Sequence, residues 1–278
     1  MDNLYGNNGK KAAEAASEKE KQLEVLLGRF EKVMVAFSGG ADSTYLLGKA
    51  AQVLGRNRVQ AVTFQSALNP YREVEEAAGF ALKLKVKHRT LNLDILKNQD
   101  FAANTPQRCY ICKQYIFSRL VELAKQEGFD TVLDGSNADD AEDYRPGMRA
   151  AEELGIRSPL LEVSLGKDEI RRLSRLKGYP GWDKPSAACL ASRMPYGEEI
   201  TAEKLKRISD AERILRRAGV KGNLRVRSHG NLARIEADSN DLDGIMKQKG
   251  DIAARLKALG YNYVTLDLFG FESGSMNR

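Results

Sequence analysis

The run Val33-Met34-Val35-Ala36-Phe37, followed at once by Ser38-Gly39-Gly40-Ala41-Asp42-Ser43, constrains the fold of this chain more than any other stretch. Five apolar residues between a charged run and a glycine pair predict a buried parallel strand. The small residues after it permit a tight turn. Asp42 and Ser43 suit the opening of a helix that continues through Thr44-Tyr45-Leu46-Leu47. A strand, a glycine turn and a helix N-terminus collect backbone N–H groups and the positive end of a helix dipole at one point, which suits phosphate. The chain has no GxxxxGK[ST], which excludes the Walker loop, and no GxGxxG behind a strand to mark a dinucleotide site.

SGGADS resembles the SGGxDS signature of the PP-loop, or N-type ATP pyrophosphatase, families. Their members cleave ATP between the α and β phosphates, hold the pyrophosphate in this loop and transfer AMP to a substrate oxygen. The bland alternative is a glycine turn that only joins strand to helix. Six signature positions behind an apolar strand weigh against it.

The rest of the chain repeats the alternation of strand and helix. A helix is predicted over Lys10–Glu31, packing on the sheet edge through Leu23, Leu26, Leu27 and Phe30, after a polar tail over residues 1–9. Strands are predicted at Val59–Phe64, His88–Asn92, Thr131–Gly135 and Pro159–Val163, with a helix at Tyr71–Leu84. Repeated βα units imply an α/β fold, a parallel sheet with helices on both faces and ligands beyond the strand C-termini, where Ser38, Phe64 and Gly135 fall. Residues 181–200 lack a sustained period and carry two prolines and two glycines, so they are expected to form an active-site linker loop. Beyond it, a helix over Thr201–Ala218, a hairpin of 223–228 with 232–237, a helix from Asp241 to Leu259 and a strand at Tyr263–Leu268 predict a small α+β domain. The expected organisation is a PP-loop domain over 1–180 including the N-terminal helix, the linker over 181–200, and a C-terminal substrate or oligomerisation domain over 201–278.

With 44 Lys and Arg against 38 Asp and Glu, the chain carries a formal charge of +6, which fits anionic substrates and permits nucleic acid without demanding it. No stretch is apolar for long enough to span a membrane, and the N-terminus has no apolar signal region. Three cysteines, two at CxxC spacing, do not make a disulfide framework, and a cytoplasmic location is expected.

Several polar positions are candidates for chemistry. Asp42 suits Mg²⁺ or a helix cap, and Ser43 can donate to a phosphate oxygen. Asp134-Gly135-Ser136-Asn137-Ala138-Asp139-Asp140 is a second polar cluster at a strand end, similar to the GTN-x-D-D stretch that PP-loop enzymes set beside the ATP phosphates. Cys109 and Cys112 stand in Arg108-Cys109-Tyr110-Ile111-Cys112-Lys113, and Cys189 lies alone in the linker. Inert thiols, a redox pair and a metal site all remain open for them. Zinc is disfavoured because only His88 and His229 are left as further ligands, without ligand-like spacing. Three thiolates can hold a 4Fe–4S cluster with one iron lacking a protein ligand. Arg225 and Arg227 alternate on a strand and project from one face, either to grip a phosphate or as a solvated face; Arg193 is similarly ambiguous.

At a finer level the chain resembles the LarE-type ATP-dependent sulfur transferases, which help build the nickel-pincer nucleotide cofactor of lactate racemase. The likeness is carried by SGGADS (38–43), RCYICK (108–113), DGSNADD (134–140), YRPGMRA (144–150), RSPLLEV (157–163), KPSAACLASRMPYGE (184–198) and RVRSHGNLARIE (225–236). It implies adenylation of a carboxylate of pyridinium-3,5-biscarboxylic acid mononucleotide, followed by conversion to a thiocarboxylate. Ser38, Gly39, Gly40, Asp42, Ser43, Phe64, Gly135 and Asn137 would then hold ATP, with Mg²⁺ on Asp42. Arg225 and Arg227 would hold the substrate phosphate, Lys113 and Arg193 would line the pocket, and Glu236 would assist. The family has a single-cysteine form, whose residue at the position of Cys189 gives up its own sulfur, and a three-cysteine form taken to bind a 4Fe–4S cluster carrying an extra sulfide. Cys109, Cys112 and Cys189 imply the second form, supplied by an external sulfide donor. A homotrimer or homohexamer is also implied. The competing readings are a PP-loop tRNA 2-thiolation enzyme, an amidating synthetase with structural cysteines, and a non-enzymatic nucleotide-binding protein. The absence of a dense Lys/Arg tract with interleaved aromatics disfavours the first.

Overall fold

The computed structural model of the chain describes residues 7–69, 71–141, 146–184, 188–272 and 275–277. Of the expected tail over 1–9, residues 1–6 lie outside the described residues and 7–9 open α1 instead; Tyr144 and Arg145 of the YRPGMRA motif and Pro185, Ser186 and Ala187 of the linker also lie outside them. In chain order the first elements are α1 (Asn7–Leu27), β1 (Val33–Ala36), α2 (Ala41–Leu54), β2 (Val59–Gln65), α3 (Tyr71–Lys83) and β3 (Lys87–Asn92). Then come α4 (Gln99–Ala102), α5 (Arg108–Gln126), β4 (Thr131–Leu133), α6 (Ala138–Ala141), α7 (Pro146–Glu153), α8 (Pro159–Glu162) and α9 (Lys167–Leu176). After a 3-10 turn at Leu190–Arg193, the chain continues through α10 (Ala202–Arg217), β5 (Leu224–His229), β6 (Leu232–Ala237), α11 (Ser239–Lys247), α12 (Lys249–Ala258) and β7 (Tyr263–Leu266).

These elements form two compact units that are not continuous along the chain. The first takes residues 1–65, 71–93 and 109–184; the second takes 66–70, 94–108 and 185–278. The sequence reading assigned 66–70 and 94–108 to the N-terminal domain. They join the C-terminal unit because their polar groups are satisfied there. Leu190 N donates to Leu68 O at 3.1 Å, and the buried Asn104 donates its amide to Pro195 O at 2.7 Å and Glu198 O at 2.9 Å.

In the first unit four parallel strands lie in the order β3-β2-β1-β4. Alternation along β1 separates the two faces. Val33 and Val35 join a core with Leu23 and Leu27 of α1, Leu46 and Leu47 of α2, Ala77 and Ala81 of α3 and Ile170 of α9. Met34 faces the other way, with Val62 and Val132, onto Phe117, Leu120 and Ala124 of α5 and Ala151 of α7. Helices therefore cover both faces, as the near-continuous apolar strands require. The fold is the α/β architecture expected of a PP-loop protein, with a small additional C-terminal sheet.

Two local expectations need correction. Pro159–Val163 is not a strand. Pro159 opens the short helix α8, and the chain pairs with β4 only at Arg157, whose N–H donates to Val132 O and whose carbonyl accepts from Asp134 N. Proline has no N–H for a ladder and is preformed for a first helical turn, whereas two adjacent leucines fit either element. Likewise, α1 packs on α2 through the core rather than along a sheet edge.

In the second unit β5 and β6 form the expected antiparallel hairpin, with Leu224 opposite Ala237 and His229 opposite Leu232, and β7 adds parallel to β6. Leu224, Val226, Ala233 and Ile235 turn toward α10, α11 and α12. The single predicted helix over 241–259 is interrupted at Gln248, which separates α11 from α12 and donates its side-chain amide to Ala218 O at 2.8 Å.

Lys49 of α2 is fully buried, yet its ammonium is ion-paired with Glu20 at 3.2 Å and with Glu24, both on α1. The Tyr45 hydroxyl donates to the same Glu20 carboxylate at 3.0 Å. This cluster fixes a helix whose own composition is polar. Because Glu24 is partly hydrated, Lys49→Met is expected to destabilise the protein by about 2 kcal/mol rather than the larger cost of a fully buried orphan, measured as a lower urea midpoint at unchanged slope.

Candidate functional site

The loop after β1 is built by backbone geometry. Phe37 N donates to Val62 O at 2.8 Å, carrying the ladder one residue past the strand. Gly39 then adopts φ +75°, and a Cβ there would lie 2.9 Å from the Cβ of Ala77, so the turn requires glycine twice over. Gly40 leads into α2 without any side-chain cap, and Ser43 Oγ folds back to donate to Gly40 O at 3.2 Å and meets Ser38 Oγ at 3.1 Å. The first N–H groups of α2 are thus not spent on a capping side chain. They stand at the C-terminal edge of the sheet, between β1 and β4, where connections leave in opposite directions.

The second cluster meets this helix end directly. A Cβ on Gly135 would stand 2.9 Å from Ser43 N and 3.0 Å from Ser43 Cα, so only glycine allows the strand β4 exit to lie this close. Asn137, fully buried, donates from Nδ2 to Asp42 Oδ2 at 3.1 Å and accepts at Oδ1 from Asp139 N at 3.0 Å. Its own N–H donates to Asp140 at 3.2 Å, and Asp140 pairs with Lys167 at 3.1 Å. Asp134 is buried and accepts from Ser136 Oγ at 2.7 Å and Ser158 Oγ at 2.6 Å, which holds the turn rather than facing a ligand. The site residues Ser38, Gly39, Gly40, Asp42, Ser43, Gly135 and Asn137 are therefore brought together. Phe64 stands apart from their polar contacts. It is half-buried at the end of β2, packed on the α5 side of the sheet with Leu91.

Burial drives Asp42 up from the usual 3.8 to about 6, and the neighbouring Asp140 adds to the effect; Lys167, the Asn137 amide and Arg171 pull it back. Lys167 and Arg171 had no distinguishing mark in the sequence, being two of many cations on a helix.

Cys109 and Cys112 lie in the first turn of α5, three residues apart and so on one flank of it, exposed and half-exposed respectively. Lys113 follows, its ammonium 4.5 Å from the Phe117 ring centroid and its Cγ 3.0 Å from the Cβ position of Gly147.

The second unit holds the arginines. Arg225 and Arg227 share a face of β5, as alternation predicted, but both are buried, so neither belongs to a solvated strand. Arg227 pairs with the fully buried Glu236 at 2.7 Å and donates to Ser192 O at 3.1 Å. Glu236 also accepts from Arg234 at 2.9 Å and Ser275 Oγ at 2.8 Å. Arg193 is buried; it pairs with Glu212 at 2.9 Å and donates to Cys189 O at 2.9 Å, while Glu212 also accepts from Val226 N at 3.1 Å. Arg225 lies over the Phe271 ring at 5.1 Å. Burial lowers its pKa to about 10, helped by Arg193, Arg227 and Arg216 and opposed by Glu212. Cys189 is exposed at the start of the 3-10 turn. Glu212 escaped the sequence reading because it sits in a helix of alternating charges. Among the described residues, no group of three or more His, Cys, Asp or Glu side chains is assembled to hold a metal ion.

Asp42 yields a signed expectation for the metal-free, nucleotide-free protein. Between pH about 4 and 6 its carboxyl holds more protons in the native than in the unfolded chain, so stability falls as pH rises through that window. Asp42→Asn is therefore expected to gain about 1–2 kcal/mol over the natural protein at pH 7 and nothing below pH about 4, read from urea midpoints. An unchanged midpoint at pH 7 would contradict it.

Comparison with known proteins places this geometry in a family. A family model described as queuosine biosynthesis protein QueC matches residues 32–180. An uncharacterized protein of Synechocystis sp. is 42% identical over 262 residues, 94% of this chain and 97% of that protein. The pyridinium-3,5-bisthiocarboxylic acid mononucleotide synthase of Lactiplantibacillus plantarum is 38% identical over 259 residues, 93% of this chain and 94% of the synthase. The tRNA-specific 2-thiouridylase MnmA of Chlorobium luteolum is 30% identical over 202 residues, but across 61% of this chain and 55% of that enzyme. A loop of this geometry, a family match over more than half the residues and 38% identity to the synthase along most of both chains together make the chain a PP-loop enzyme of the LarE-type family.

Proposed function

We propose that the protein is an ATP-dependent sulfurtransferase that converts the carboxylates of pyridinium-3,5-biscarboxylic acid mononucleotide to thiocarboxylates. The observation that carries this reading is the 38% identity to the Lactiplantibacillus synthase over 93% of a chain that has an uncapped helix N-terminus at SGGADS and buried arginines at 225 and 227. The MnmA likeness supports a tRNA-thiolating alternative, but it spans a smaller share of the chain. A tRNA shift assay showing tight, salt-sensitive binding would favour that alternative.

The chemistry follows from charge. A carboxylate oxygen attacks the α-phosphorus of ATP, the bond to the β-phosphate breaks, and pyrophosphate leaves with the bonding electrons. The N–H groups of residues 39–43 and the α2 dipole offset that charge. Asp42 would hold Mg²⁺ against the phosphates, and a cation there would offset the burial and the Asp140 charge that raise its pKa. The acyl adenylate makes AMP the leaving group, so sulfur displaces it at the acyl carbon. Arg225 and Arg227 hold the substrate phosphate, and Arg193 orders the backbone at Cys189 from a buried position.

Cys109, Cys112 and Cys189 would be the three thiolate ligands: none is in a disulfide, and all retain solvent exposure. A 4Fe–4S cluster held by these thiolates would supply an open iron for an extra sulfide. Asp42 and the cysteines thus have separable duties. An external sulfide donor and a homotrimeric or homohexameric assembly complete the reading.

After anaerobic reconstitution, Cys109→Ala, Cys112→Ala and Cys189→Ala should each lose iron, acid-labile sulfide and visible absorption, whereas Asp42→Ala should keep them and lose AMP transfer. If only Cys189→Ala abolished sulfur transfer, a sacrificial single-cysteine route would replace the cluster. Arg225→Met should raise the KM for the pyridinium mononucleotide about tenfold or more without lowering the urea midpoint, because the charge it removes is already disfavoured by its surroundings.

A further inference from the structure

Lys184 is the last residue of the first unit, and its ammonium is ion-paired with Glu76 of α3. Both ends of this pair are rooted on Gly39 of the phosphate loop. Glu76 is followed by Ala77, the residue that a Cβ on Gly39 would strike. On the other side, a Cβ built on Gly181 would stand 3.6 Å from Gly39 O and 3.7 Å from Lys184 Cδ, so the loop carbonyl and the lysine stem flank the same point. The Phe80 ring fills the space between. Its edge lies 3.1 Å from that point, and its centroid is 4.9 Å from Lys184 Nζ. Arg171 holds the backbone here by donating to Lys184 O at 3.0 Å, and the same arginine acts electrostatically on Asp42.

We propose that Lys184 is a polyphosphate-binding residue held in reserve by Glu76. When a nucleotide enters the loop, the ammonium exchanges the Glu76 carboxylate for oxygens of the β- or γ-phosphate. The proposal rests on the reading that the loop binds ATP, and it assigns to that site a cation and a built-in competitor. Three features support the exchange. The pair is about one-third exposed on each side (33% and 31%), and ion pairs so hydrated hold their partners weakly. A polyphosphate offers more negative charge and more acceptor oxygens than one carboxylate. Lysine is a point charge on a flexible four-carbon stem, able to swing while the aromatic face of Phe80 keeps company with the cation.

A merely structural pair would pin residues 181–184 to α3 and nothing more, and the two roles give opposite signs at Glu76. Equilibrium dialysis of the full-length protein against ATP and against AMP, each with Mg²⁺, separates them. Lys184→Gln should weaken ATP binding about tenfold, Glu76→Gln should tighten it about threefold, and Lys184→Arg should stay within about twofold of the natural protein. AMP, which lacks the outer phosphates, should bind all four proteins alike. The proposal is overturned if Glu76→Gln weakens ATP binding as Lys184→Gln does, if AMP affinity falls in parallel with ATP, or if Lys184→Gln leaves ATP binding unchanged. Failure of the natural protein to bind ATP would remove the nucleotide reading itself. Binding by the natural protein with variants that do not diverge removes only the role of Lys184.

Discussion

The near contact of Gly135 with the first turn of α2 is the constraint on which the rest of the site depends. Two strand exits converge at the point where the sheet order reverses, and the missing side chain lets backbone meet backbone. That approach brings Asn137 within a hydrogen bond of Asp42 and sets Asp140 beside it. The helix end it meets carries no side-chain cap at Gly40. A bulkier residue at 135 would separate the exits, and the polar cluster would revert to an ordinary turn.

Each unit holds a charge against its inclination. Asp42 is buried beside another carboxylate, and Arg225 is buried among other arginines. Both groups gain from a counter-charge brought by a ligand, a cation in one case and an anion in the other. Such placement costs stability in the empty protein and would return it as interaction energy when a counter-charge binds.

Much of this was legible in the residues. The loop, the polar cluster after β4 and the Arg225–Arg227 alternation are set by local spacing, which sequence records directly. What was not legible depends on partners distant in the chain. Glu212 becomes notable only because Arg193 and Val226 converge on it, and Lys184 only because Glu76 and Gly39 lie beside it. The misread strand at Pro159 shows a different limit. A short apolar run has no period of its own, and the proline at its head makes it a helix. Phe64 ends up at the C-terminal end of β2, packed on the α5 side of the sheet.

The division of the chain into interleaved segments has a consequence for how this protein is made and altered. The backbone passes from one unit to the other after residues 65, 70, 93, 108 and 184, and the C-terminal unit is completed by pieces translated long before its sheet. Asn104 must wait for Pro195 and Glu198 to emerge before its amide is satisfied. During synthesis the early segments therefore leave the ribosome without their eventual partners, and neither half is a cassette that recombination can lift out whole.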